Sequence, residues 1–152
     1  MAKMFAIFAA IAAVAVAANP ELSEVKSVYL LPMSGGLDQY LAVALTTGGV
    51  LKVVTDPKKA DAVLTDRIGA GLQQSLRDLY ASGEKKDDKS DDDYKPAMAP
   101  LSRGKGSIFL VNRGSQTVVW STYALSKDSR ADSLNRLAAK IAGQLQKDLK
   151  GK

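Results

Sequence analysis

Apolar positions fall in short blocks along most of the chain, and their spacing predicts alternating strands and helices. Residues 28–33 (VYLLPM) are apolar and β-branched, the pattern of a buried strand, with Pro32 near its end where a missing N–H is tolerated. Ser34-Gly35-Gly36 breaks the chain. Leu37, Tyr40, Leu41, Ala44 and Leu45 then recur at intervals of three and four, which predicts a helix over 37–47 stopped by Gly48-Gly49. Residues 50–55 (VLKVVT) and 62–68 (AVLTDRI) predict two further strands, separated by a turn at Asp56-Pro57-Lys58-Lys59. Leu72, Leu76, Leu79 and Tyr80 indicate a short helix after Gly69.

The pattern lapses over residues 81–106, where a run of Asp, Lys and Glu gives way to Pro96, Pro100, Gly104 and Gly106. Burial there cannot offset ordering entropy, so the segment is expected to be a long flexible excursion. Order resumes at 107–112 (SIFLVN), followed by a hairpin turn at Arg113-Gly114-Ser115-Gln116, where Gly114 is free to take positive φ, and a returning strand at 117–125 (TVVWSTYAL). Simple alternation places Val119, Ser121 and Tyr123 on one face of that strand and Val118, Trp120, Thr122 and Ala124 on the other. Trp120 is expected to fill the layer under the closing helix. That helix begins near Ser129, which forms an imperfect capping box with Asp132, and carries an apolar stripe of Leu134, Leu137, Ala138, Ile141, Leu145 and Leu149. The predicted fold is α/β: a two-layer sandwich with a mixed sheet of about five strands, helices packed on one face, and the order β-α-β-β-(α)-loop-β-β-α.

The amino terminus does not fit this alternation. Lys3 is followed by an unbroken apolar run of 15 residues from Met4 to Ala18, with small residues spaced for signal-peptidase cleavage before Asn19 (Val16-x-Ala18) or before Ala18 (Ala15-x-Ala17). Residues 1–18 are therefore read as a signal peptide, and 19–152 as one domain that opens on a short exposed lead-in at Pro20. The expected location is periplasmic or secreted, with membrane contact only if the signal segment stays uncleaved.

Composition narrows the chemistry. The 152 residues contain no cysteine and no histidine. That inventory excludes disulfides, thiolate metal sites, a Cys nucleophile, a Ser-His-Asp triad and a lipid anchor on an N-terminal Cys. No cofactor and no metal is expected, and the chain is not read as an enzyme. The formal charge of +5 owes much to the last helix, where Lys127, Arg130, Arg136, Lys140, Lys147, Lys150 and Lys152 outnumber Asp128, Asp132 and Asp148. No aromatic residue is interleaved there, so a solvated face is expected and no nucleic-acid partner.

Several short motifs recur together: Val53-Val54, Ala60-Asp61, Val119-Trp120-Ser121 and the amphipathic helix from Arg130. In this order they resemble a broad superfamily of bacterial envelope domains. It includes the periplasmic domain of the curli secretion-channel lipoprotein, the activator lipoproteins of penicillin-binding proteins, and the amino-terminal domain of the Tol-Pal propeller protein. The resemblance covers most of residues 28–149 outside the acidic segment. It implies an α/β fold and an envelope protein as partner. The chain departs from those families in lacking the acylated Cys, in having no barrel-forming strands, and in its charged segment.

Two candidate sites follow. Ser34, Gly35 and Gly36, at a strand-to-helix junction, offer backbone N–H groups to a ligand, although the Lys and spacing of a P-loop are missing. Asp87, Asp88, Asp91, Asp92 and Asp93 form a candidate partner-binding run; they lack the spacing of a calcium loop and are opposed by Lys85, Lys86 and Lys89. Asp56, Asp61 and Asp66 are read as turn and capping residues. The expected function is a non-catalytic, exported interaction module using an exposed sheet edge and the charged segment. The alternative is a small-ligand or cell-wall glycan binder.

Overall fold

The computed structural model describes residues 19–81 and 106–151. The elements in chain order are α1 (Pro20–Glu24), β1 (Ser27–Leu30), α2 (Leu37–Thr47), β2 (Lys52–Val53), β3 (Ala62–Thr65), α3 (Ala70–Ala81), β4 (Ser107–Asn112), β5 (Val118–Tyr123) and α4 (Ala131–Leu149). The strands form one mixed sheet in the order β2-β1-β3-β4-β5. β1 runs parallel to β2 and β3, while β3–β4 and β4–β5 are antiparallel. β2 and β5 are therefore the two edges.

Period-two alternation divides the strands between two cores. Val28 of β1, Ala62 and Leu64 of β3, and Ile108 and Leu110 of β4 face α2 and α4, whose Leu41, Leu45, Leu137, Ile141 and Leu145 complete the main core. The predicted stripes of both helices are thus the faces packed on the sheet. Trp120 lies in this core, as expected, and its indole N–H donates to Asp148 Oδ2 of α4 at 2.7 Å. The intervening residues Leu31, Val63 and Val111 point the other way, and Leu72 and Leu76 of α3 pack on them. The α/β fold with a mixed five-strand sheet is as expected, with one difference: α3 covers part of the opposite face. Its stripe meets side chains that alternation turns away from α2 and α4.

Local departures have local causes. Residues 19–24 are a capped helical turn instead of an exposed lead-in: Asn19 Oδ1 accepts from Glu21 N–H at 3.1 Å, Pro20 opens the helix, and Leu22 and Val25 enter the core. In the β4–β5 turn the left-handed residue is Gln116 (φ 56°) and not Gly114, because Asn112 Oδ1 accepts from the N–H groups of Gly114 and Ser115 and winds the turn before the chain turns back at Gln116. Ser129 does not cap α4. Arg130 occupies the cap position, and Asp128 Oδ1 accepts the Arg130 N–H at 3.0 Å. The predicted alternation of β5 is broken by a bulge: the single step Leu110–Val111 on β4 spans Trp120 to Val118 on β5. Val119 is the extra residue, so Val119 and Trp120 both turn inward.

Candidate functional site

The two sheet edges differ in ways that matter for binding. β2 contributes only two paired residues, one of them the exposed Lys52. A very short edge bearing a lysine is how monomeric sheets deter strand addition. β5 has the longer ladder and lies within residues 116–126 (QTVVWSTYALS), which contain no charge and no proline. The bulge at Val119 protects only its first part.

Among the described residues, hydrogen bonds define which part of β5 is open. At its start, Asn19 Nδ2 donates to the Val119 carbonyl at 3.3 Å, so α1 seals that end of the edge. At its far end, Ala124 N–H donates to Gly106 O at 2.8 Å, which sets the phase of the ladder. Residues 120, 122 and 124 turn their backbone groups toward β4, and Ser121 and Tyr123 turn theirs outward.

An apolar strip accompanies the open edge. Val118, Tyr123 and Leu125 are three of the five exposed large apolar side chains among the described residues, with Tyr123 at 66% and Leu125 at 57% exposure. Ser121 and Tyr123 sit opposite Phe109 and Ser107 on the face that α3 covers further along the sheet. Gly106 (φ 92°) allows Tyr123 and Leu125 to lie close: a Cβ there would stand 2.7 Å from Leu125 Cδ2 and 3.1 Å from Tyr123 Cε2. Edge and strip together can accept an extended segment through backbone bonds, with a partner side chain on the Tyr123 ring.

Of the residues singled out in the sequence, Ser34, Gly35 and Gly36 lie together in a short 3-10 turn leading into α2. The Ser34 N–H and hydroxyl both donate to Asp66 Oδ2, at 2.9 and 3.0 Å. Asp38 Oδ1 accepts the neighbouring Met33 N–H at 2.9 Å. Two carboxylates therefore flank the junction, and the serine donors are in use. Asp87, Asp88, Asp91, Asp92 and Asp93 lie outside the described residues, as do residues 1–18. Asp56 Oδ1 accepts the Lys58 N–H at 3.0 Å and caps the turn after β2.

Asp61 Oδ2 accepts from Lys26 N–H, Ser27 N–H and the Ser27 hydroxyl at 3.0, 2.9 and 3.0 Å. Partial burial pushes the Asp61 carboxyl up, but those three donors and the attraction of Arg113 outweigh it and hold it below the usual aspartate range. On the α3 face a cavity of about 300 Å³ is lined by Leu76, Tyr80, Val111, Arg113 and Gln116. Arg113 stacks 5.5 Å from the Tyr80 ring centre and donates to Lys58 O. Burial pushes the Tyr80 hydroxyl above its usual value, against the opposing pull of Arg113. Its hydroxyl donates to Pro57 O at 3.2 Å, so Tyr80 and Arg113 are both held within the fold.

In the sequence Ser121 and Tyr123 stand out only as alternating strand positions, Ser121 also within the Val119-Trp120-Ser121 motif, and neither is read there as a binding residue. The uncharged run 116–126 was their available signal. No family model matches the chain, nor does any curated protein or solved structure.

Proposed function

We propose that the protein is an exported, non-catalytic interaction module of the bacterial cell envelope that binds by strand addition at β5. The observation that carries this reading is the open, uncharged edge at Ser121 and Tyr123 beside the exposed strip of Tyr123 and Leu125. The apolar run before Asn19 supports export, and the resemblance to envelope-domain families supports the setting. Small-ligand binding at Ser34–Gly36 has less behind it, because a carboxylate already occupies the serine donors.

The test is a photo-crosslinking residue placed at Tyr123 in the producing cell, with the same residue at Val43 as control. Val43 is 61% exposed on α2, away from the edge. Discrete adducts from position 123 and none from position 43 are the expected result. Absence of adducts at 123, or equal labelling at both positions, overturns the reading.

A further inference from the structure

We propose that the partner at this edge is a second copy of the chain, joined by antiparallel pairing of β5 with β5 about a two-fold axis through Thr122. The inference rests on the reading of β5 as an interaction edge. In this register Ser121 of one copy lies opposite Tyr123 of the other. Both residues turn their N–H and C=O outward, so each opposed pair exchanges two backbone hydrogen bonds, and the two-fold repeats the exchange. A register centred on Ser121 would instead bring Tyr123 opposite Val119, whose carbonyl is already taken by Asn19. The Thr122 register avoids α1. It also places each Tyr123 ring beside the partner copy's Ser121 on one continuous sheet face.

Charge supplies the argument for a second copy over a foreign strand. Antiparallel pairing sets the start of β5 in one copy beside the end of β5 in the other. At the start stands Glu21, whose Oε2 accepts from the Ser115 hydroxyl at 3.0 Å. Just past the end stands exposed Lys127, while Asp128 and Arg130 pair with each other at 2.9 Å. Arg113 is held on the other side, by Lys58 O and the Tyr80 ring. Among the described residues the two ends of the edge thus carry opposite charge, and a two-fold brings Glu21 toward Lys127 twice.

Sedimentation velocity on the mature chain over a wide concentration series tests this. The wild type should shift from monomer to dimer as concentration rises. Ser121→Pro should stay monomeric with an unchanged circular dichroism spectrum, because the amide it removes points away from β4. Tyr123→Lys, which adds the lysine that protected edges carry, should also stay monomeric and serves if the proline variant fails to fold. Lys127→Glu should weaken the dimer about fivefold through loss of two rim pairs, and Glu21→Lys added to it should restore the dimer. A wild type that is monomeric throughout, or a folded Ser121→Pro that dimerises like the wild type, overturns the inference. If the chain is monomeric but position 123 still crosslinks to a different protein, the interaction-edge reading stands alone. If those adducts are also absent, both readings fall.

Discussion

Asp61 shows how much a single side chain does at the mouth of the sheet. It stands just before β3, yet its carboxylate ties down the start of β1 by accepting from two backbone N–H groups and a hydroxyl. Such a carboxylate stabilises the fold only while ionised. Its folded-state pKa is lowered, so the contribution is present above the ordinary aspartate value of 3.8 and is lost as pH falls through the lower folded value. Asp61→Asn keeps one acceptor oxygen but loses the charge. Thermal denaturation across the acid range should show the variant less stable at neutral pH by about 1 kcal/mol, the small end for bonds to a charged group at an exposed site. It should also show a shallower loss of stability below pH 3.8 than the wild type. At this scale the sequence is informative in part: Asp56, read as a turn and capping residue, accepts the Lys58 N–H two residues on, whereas Asp61 and Asp66 accept from Ser27 and Ser34, distant in the chain, and tie strands together instead of capping a turn. Gln116 was not legible, because the left-handed position in the hairpin depends on how the Asn112 side chain winds the turn, and Gly114 is the residue that propensity favours.

Elements with a long, single period were readable from the chain. The stripe of α4 from Leu134 to Leu145 is buried as its spacing implies, and β4 spans Ser107–Asn112 as expected. β2 was overextended, since pairing with β1 involves only Lys52 and Val53 and the apolar run 50–55 does not reveal where a neighbour ends. α3 had a stripe but no sequence mark for the face it covers; that follows from which side of β3 Val63 takes. α1 did have a mark, Asn19 followed by Pro20, the cap and first-turn pair of a helix start. The junction of Gly106 with β5 permits a prediction at this scale. An alanine there must hold φ near 92° and push Leu125 away from a contact of 2.7 Å. Gly106→Ala should therefore lower stability by about 1–2 kcal/mol, measured by denaturant unfolding. It should also displace Leu125 from beside Tyr123, read as a change in nuclear Overhauser contacts between the two side chains. A variant with wild-type stability and contacts would show that the strip does not depend on this close approach.

The whole molecule is a sheet with unlike ends, and no local pattern in the sequence could say which strand would be left at an edge. Strand order follows from where β1 sends its crossover and where β3 finds an antiparallel partner, both tertiary facts. The amino terminus is the point at which this architecture meets the proposed export. Asn19 lies directly after the apolar run, caps α1, and reaches the Val119 carbonyl at the sealed end of β5, while Leu22 and Val25 are buried in the main core. Processing before Asn19 would thus leave every described contact of the fold in place. Cutting beyond Val25 would remove two core side chains, each contributing about 1.5–3 kcal/mol by burial, and would uncover the protected half of the edge. The chain recovered from the envelope fraction of the producing cell should accordingly begin at Asn19, as read by terminal sequencing and intact mass. Recovery of the full-length chain from the cytosol would remove export from the proposal, while leaving the edge and its pairing to be judged by their own tests.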